Sequence, residues 1–424
     1  MDRLHKLETF ANELAVAVKS LGAHYRNGES EESREVQRAR RAIMGNAARI
    51  QTLLGEPSDF LQRLASQNQI LACLQWLGEF QVLACIPLSG TVSARDVAEL
   101  AGVPVKQLSR VVRMTSTAGF LGEPEPGQIA HTSLSAEFVK NLSYFDAAMF
   151  LAQTAAPTAL KMATATRRYG CSDLPQESAY GLAFGTAHSF QATCEQRPKL
   201  HRQLSAYLQH AGNVDQDVTE LLTRLDWPSL GKTRVVEVGA ESTRTAIALA
   251  ELHPALHFIV QMHGPDLEAR RPLTTRLTIQ KRDPGTPQTV SDAAVYILRL
   301  PSPSIGPSSY SLPAQVKSEL RAHLGVLRNT NATLVLTPRL LPEPGTADPD
   351  VEVVSRVRDL SLLQLANDSG MIEMAELVEM VESIRDSFGG LVIVNKLRSR
   401  KSGMAALGVK YQASASHEAL MGSR

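Results

Sequence analysis

The sequence predicts an α/β protein, with a helical amino-terminal half that includes a helix–turn–helix and wing, followed by a parallel sheet covered by helices on both faces. Three observations predict it. From Gly231 to Lys410, short apolar β-rich runs alternate with helical stretches. Between residues 91 and 132, two short helical patterns lead into a strand, a Pro/Gly turn and another strand. Ahead of both, apolar residues recur at spacings of three and four.

Residues 3–21 place Leu4, Leu7, Phe10, Leu14, Val18 and Leu21 on one helix face. A polar stretch follows, and a linker is expected near 22–35. Helix resumes near Val36 and runs to about Leu54, and a new one begins beyond it with Ser58 as its expected N-cap. Residues 61–86 are strongly apolar and predict a buried pair of helices, with Trp76 and Phe80 in their core. The next helix starts at Ser93, and the one after it ends at Gly119. The wing occupies 120–132, and 135–225 is mostly helical. Four segments result: amino-terminal helices over 1–60, a winged-helix-like region with flanking helices over 61–225, the sheet domain over 226–412, and a tail over 413–424.

Within the sheet domain, strands are expected at TRVVEVGA, LHFIVQM, AAVYILRL and ATLVLTPRLL. LVIVNKL and AALGVKY lie close together and predict an antiparallel hairpin at the sheet edge.

Composition narrows the function. Of 424 residues, 43% are hydrophobic and 21% charged, and the formal net charge is +1. That balance describes a globular chain with no global field to attract DNA or an anionic membrane. No apolar run is long enough to span a bilayer, and the amino terminus lacks a signal-peptide core. Cys73, Cys85, Cys171 and Cys194 are scattered without zinc or redox spacing, and the eleven histidines show no metal spacing either. A cytoplasmic or nuclear protein is expected.

VVEVGA with ELHPALHFIVQ, and later ATLVLTPRLLPEPG, resemble the plant- and fungal-type O-methyltransferases over roughly residues 60–410. That resemblance implies a winged-helix dimerisation region and a Rossmann-like class I methyltransferase domain that would bind S-adenosylmethionine and methylate a hydroxyl. LACLQWLGEFQVLACIPL, PEPGQIAHT, LHFIVQ and RDLSLLQLAND are similar to a narrower group, the methyltransferase-like co-activators of fungal aromatic polyketide gene clusters. This second resemblance implies partnership with a zinc-cluster transcription factor rather than catalysis.

The cofactor motif of the wider family is an acidic residue followed by three spaced glycines, which let backbone approach the ligand and leave a helix N-terminus open. Here Glu237 and Gly239 match, but Glu241 and Thr243 stand where the second and third glycines belong. Glu241 could satisfy the helix terminus itself, since a carboxylate there is favoured by ~0.3–1 kcal/mol. The family's ribose-binding acid at the end of the next strand is replaced by Met262, which has no acceptor to offer, with Gln261 before it. Asp283 matches the acidic residue near the adenine, or is a turn-former before Pro284.

The family's general base is a histidine after the fourth strand. Here that strand continues as Pro301-Ser302-Pro303-Ser304. His323 reads as a surface or packing residue, and Asp368, Glu373 and Glu376 as helix-start and solvent-face charges. No catalytic or metal residue is therefore expected, and S-adenosylmethionine binding should be lost or weak.

The second helix of the helix–turn–helix carries Lys106, Arg110 and Arg113, but the wing is acidic, so dimerisation or core support is expected rather than DNA recognition. Two basic clusters, Arg34/Arg38/Arg40/Arg41 and Lys396/Arg398/Arg400/Lys401, read as import signals or solvated surface, the second in an exposed hairpin loop. The expectation is a nuclear, also cytoplasmic, homodimeric co-activator. The alternative is a methyltransferase-like pathway enzyme, a pericyclase or cyclase, or less favourably an O-methyltransferase.

Overall fold

A computed structural model of the chain describes residues 2–28, 30, 33–170, 172, 174–210, 214–263, 275–300, 311–367, 370–400 and 402–414. It divides into two compact units that are not consecutive in sequence: Met1–Leu160 with Cys194–His210, and Lys161–Thr193 with Ala211–Arg424. Lys161–Thr193 and Cys194–His210 thus fall in different units, although both lie within the one region expected over 61–225.

In the first unit, α1 (Asp2–Arg26) and α2 (Arg34–Leu54) pair as a hairpin. Arg3 at the start of α1 donates from Nε and Nη2 to the Leu53 carbonyl, at 3.1 and 2.6 Å, closing the open end. The linker expected over 22–35 shrinks, because α1 continues to Arg26. Its last turn carries the basic residues His24 and Arg26, and a helix C-terminus favours the Arg26 cation. Next comes α3 (Pro57–Glu79), one helix where a buried pair was expected. No glycine or proline interrupts 61–77, so nothing turns the chain, and a left-handed Gln81 (φ 50°) finally ends the run before a short 3-10 turn over Val82–Cys85. Glu56, not Ser58, is its N-cap. Pro57 takes the first helical position, where a missing N–H costs nothing, and Asp59 accepts from the Glu56 N–H at 3.0 Å. Much of its apolar surface stays outside: Phe60, Leu61 and Leu64 are exposed, as is Phe80, expected in the core, while Leu77 is buried.

β1 (Val92–Ser93), α4 (Ala94–Ala101), α5 (Val105–Ser116), β2 (Leu121–Glu125) and β3 (Gln128–His131) follow, with strand order β1-β3-β2. Ser93 caps α4 as expected, accepting from the Asp96 N–H at 3.1 Å. α6 (Leu142–Phe150) packs on α7 (Pro198–His210), which returns to this unit from far along the chain. Arg202 holds Asp146 through two hydrogen bonds of 2.7 and 3.0 Å.

The second unit contains α8 (Val214–Leu222), β4 (Arg234–Val238), α9 (Arg244–Leu252), β5 (His257–Met262), β6 (Leu277–Lys281) and β7 (Val295–Leu298). It continues with α10 (Leu312–Asn329), β8 (Thr333–Leu336), α11 (Pro349–Ala366), α12 (Met374–Glu382), β9 (Gly389–Arg398) and β10 (Ala405–Ala413). The seven strands run β6-β5-β4-β7-β8-β10-β9. The first five are parallel, and β10 and β9 close the edge antiparallel. Alternating side chains feed two cores. Val236, Val238, Tyr296, Leu298, Leu334 and Leu336 meet α10 and α12 on one face. Val235, Phe258, Val260, Val295 and Ile297 meet α8 and α9 on the other. Burial on both faces explains why these strands read as unbroken apolar runs. Lys396 and Arg398 lie in strand β9 itself, not in the hairpin loop expected for them, and Arg398 donates to Glu343 at 2.9 Å. Lys401 and residues 415–424 of the tail lie outside the described residues.

Candidate functional site

In an open parallel sheet, the ligand crevice forms where the chain order reverses, at the carboxyl ends of the strands. Here that point lies between β4 and β7, which are neighbours although β5 and β6 intervene in sequence. Gly239 leaves β4 with φ 71°, and a Cβ there would meet the Arg299 carbonyl at 3.1 Å. This glycine is therefore required by the backbone itself. The Gly239 and Ala240 amides donate to the Gln261 carbonyl, at 3.0 and 3.3 Å.

Glu237 is fully buried, and its carboxylate is committed within the protein. Arg299, the residue after β7, donates from Nε to Glu237 Oε1 at 2.8 Å and from Nη2 to Thr245 Oγ1 at 2.6 Å. Thr219 of α8 meets the same Thr245 hydroxyl at 2.8 Å. One guanidinium thus ties the ends of β4 and β7 to α9 and, through two hydroxyls, to α8.

Met262 is buried in the core beneath α9. Gln261 is buried too, and its amide exchanges hydrogen bonds with Gln288, at 3.0 Å to Gln288 Oε1 and 2.8 Å from Gln288 Nε2. Gln288 Nε2 lies 3.5 Å from His323 Nε2, whose ring Nδ1 is 2.8 Å from the Glu319 carbonyl. Glu319 in turn accepts from Arg282 at 3.0 Å and from the Gly285 amide at 2.6 Å. His323 is fully buried as a packing residue, and burial holds its pKa below the ordinary imidazole value. The end of β5, the loop after β6 and one face of α10 are therefore joined by a polar network.

Glu241 does not cap α9. It is exposed, and Ser242 Oγ accepts from the Arg244 N–H at 3.3 Å in its place. Thr243 is the N-cap residue but makes no side-chain cap bond. Asp283 is exposed; its carbonyl accepts from Thr286, closing a turn, while its carboxylate lies 3.2 Å from His263 Nδ1. Glu373 and Glu376 are exposed at the start of α12. Pro301, Ser302, Pro303, Ser304 and Asp368 lie outside the described residues. Sequence reasoning missed Arg299, Gln288 and Glu319. The legible signal was a lone arginine ending the apolar run AAVYILRL beside a strand that carries Glu237.

At the β2–β3 hairpin, Arg113 of α5 is held by Glu123 through bonds of 2.7 and 3.0 Å, and the Gly127 amide donates to the same carboxylate at 2.8 Å. Arg113 is thus occupied within the protein. Its guanidinium, with the Gly127 amide, holds the Glu123 carboxyl down at about 2. An NMR titration of the Glu123 side chain should therefore show it ionised from neutral pH down to about 2. Whatever the bridge contributes is complete above the ordinary carboxylate range and declines as the pH falls from that range to about 2. Among the described residues, no group of three His, Cys, Asp or Glu could hold a metal, and no helix is long and apolar enough to cross a membrane.

The fold is that of class I methyltransferases. LepI solved with SAM matches with a TM-score of 0.61 at 16% identity, covering 95% of this chain and 100% of that one. The mitomycin 7-O-methyltransferase MmcR matches with a TM-score of 0.56 at 17% identity, covering 86% and 99%. Sequence relatives are more specific. The monodictyphenone cluster transcriptional coactivator mdpA of Emericella nidulans is 46% identical, covering 97% of this chain and 99% of its own length. The trypacidin cluster transcriptional coactivator tpcD of Aspergillus fumigatus is 47% identical, covering 97% and 98%. Residues 4–55 match the tpcD coactivator amino-terminal domain family. The chain belongs to this family of fungal secondary-metabolite cluster transcriptional coactivators, built on an O-methyltransferase fold.

Proposed function

We propose that this protein acts as a transcriptional co-activator of a secondary-metabolite gene cluster, working with a zinc-cluster transcription factor in the nucleus and not by methyl transfer. The observation that carries the reading is the commitment of the sheet's ligand end to internal partners. A cofactor's ribose needs an acceptor for two hydroxyl donors. The chain places Met262 in the core there, with the Gln261 amide already paired to Gln288. Glu237, the acidic match to the cofactor motif, is turned to Arg299. In this reading the described residues at the sheet's ligand end do not fit S-adenosylmethionine.

The amino-terminal half supports a homodimer. Phe60, Leu61 and Leu64 on α3 leave apolar side chains in water that a second copy would cover. The two helices and hairpin at 92–131 serve in this reading as a winged-helix support and not as a DNA reader, since Arg113 is held by the acidic wing.

Two measurements test the proposal. Calorimetry of the full chain with S-adenosylmethionine should give no binding heat, and micromolar affinity would return methyl transfer to consideration. The chain should co-purify with the zinc-cluster regulator of its cluster, and its deletion should lower cluster transcripts. Unchanged transcripts and no co-purification would together reject the co-activator reading.

A further inference from the structure

We propose that α11 is an interface between two copies of this chain, joined through the apolar stripe that the helix leaves in water. Its pattern is inverted. Beyond Asp350, every exposed residue of α11 is valine or leucine: Val353, Val354, Val357, Leu360 and Leu363, each 44–60% exposed. Its polar residues turn inward instead. Ser355 is buried, Arg356 Nη2 donates to the Pro342 carbonyl at 2.7 Å, and Asp359 Oδ1 accepts from the Met371 N–H at 2.8 Å. A helix on the surface of a monomer shows the opposite arrangement, with apolar residues inward and charges in water.

Val353, Val357 and Leu360 are separated by four and then three residues, the repeat of a helix-packing seam, and Val354 and Leu363 widen it. Gln364 continues the row. Its Nε2 lies 3.5 Å from Met162 Sδ, which brings the exposed Met162 side chain to the edge of the patch. The five aliphatic side chains together present roughly 400 Å² to water, about half of the ~800 Å² that each partner of a stable interface buries. That is the scale of an apolar interface core, around which a polar rim supplies the remainder.

The occupant follows from what the stripe lacks. Its exposed side chains carry no charge, donor or acceptor with which to select a foreign partner. Contacts that are apolar and poor in charge are the kind that join copies of one chain. A stripe of one chemistry is also complementary to itself. A two-fold axis across it sets two α11 helices antiparallel and brings Val353 of one copy towards Leu360 of the other. Helix α11 belongs to the second unit and α3 to the first, so this contact is distinct from the dimer surface assigned to α3. The inference goes beyond the co-activator reading and does not depend on it.

The test is sedimentation velocity of the full chain and of Val357→Glu/Leu360→Glu. Both side chains are exposed in the single chain, so the variant should keep the wild-type circular dichroism spectrum. It should sediment with half the copy number of the wild type. The wild-type assembly should persist in ~1 M salt, which screens charges and leaves apolar burial intact. Photo-reactive p-benzoylphenylalanine in place of Val357 reads the contact directly, whether or not the double variant folds. It should yield a covalent pair of chains joined α11 to α11. Equal size of wild type and variant, or an assembly that salt dissolves, overturns the proposal. A cross-link confined to one chain also overturns it, because the stripe would then be covered from within. Capture of the pathway's regulator at position 357, in place of a second copy, overturns it in favour of a foreign partner. Cluster transcripts and S-adenosylmethionine calorimetry, which decide the co-activator reading, are read separately from all of these outcomes.

Discussion

Arg299→Ala is expected to lower folding stability by about 3–5 kcal/mol, the usual cost of stranding one partner of a buried ion pair. Arg299 and Glu237 are both nearly inaccessible, and the guanidinium also reaches Thr245. Removing it leaves a carboxylate in a low-dielectric site beneath α9, without the donor at 2.8 Å that neutralises it. Denaturant unfolding of the variant reads the loss as a lower midpoint at unchanged slope. The double variant Arg299→Met with Glu237→Gln removes both charges, so it should recover much of the loss. If it proved as unstable as Arg299→Ala, the charge argument would be wrong and the effect would lie in packing. The same pair bears on function, because the carboxylate that resembles a cofactor ligand here joins strands to helices.

The second large effect is acid sensitivity centred on His323. Burial holds the His323 pKa below its ordinary value, with the Arg282 charge acting in the same direction against the Glu319 interactions. The folded protein therefore keeps this imidazole neutral where the unfolded chain takes up a proton. Its contribution to stability is complete above roughly pH 6.5. As the pH falls below that value, the unfolded state binds more protons and stability declines by ~1.4 kcal/mol per pH unit, until the folded pKa is reached. Urea unfolding at a series of pH values between neutrality and mild acid should show this slope in the wild type. His323→Gln keeps a polar side chain near Gln288 but cannot titrate, and should flatten it. An unchanged slope in the variant would assign the acid sensitivity to other groups. Protonation would also place a cation beside Arg282 within the network that holds Gln261, so acid should loosen the ligand end of the sheet first.

The sheet domain was legible because its physics is local. Strands buried on both faces must be apolar throughout, and runs such as VVEVGA and AAVYILRL show it. Capping is equally local, which is why Ser93 could be placed from its neighbours. Where several rules of short range competed, the reading slipped. Pro57 outranked Ser58 as the marker of a helix start, and the stretch 61–77, uninterrupted by glycine or proline, made one helix with an exposed face where a buried pair was expected. The departures from the cofactor motif at Glu241, Thr243 and Met262 were also readable, since each is a matter of side-chain identity alone.

The sequence by itself determined the α/β class, most of the strands with their closing hairpin, and the departures of Glu241, Thr243 and Met262 from the cofactor pattern, because periodicity, capping and side-chain identity act between near neighbours; it did not show β6. Only the tertiary structure decided what the surviving polar residues do. Glu237 and Arg299 are sixty-two residues apart, Gln261 and Gln288 twenty-seven, and Arg113 and Glu123 ten. Each pairing depends on strand order, register or a hairpin folding back, which no local pattern encodes. Burial then makes such pairings nearly obligatory, since a polar group withdrawn from water must find a partner within the protein.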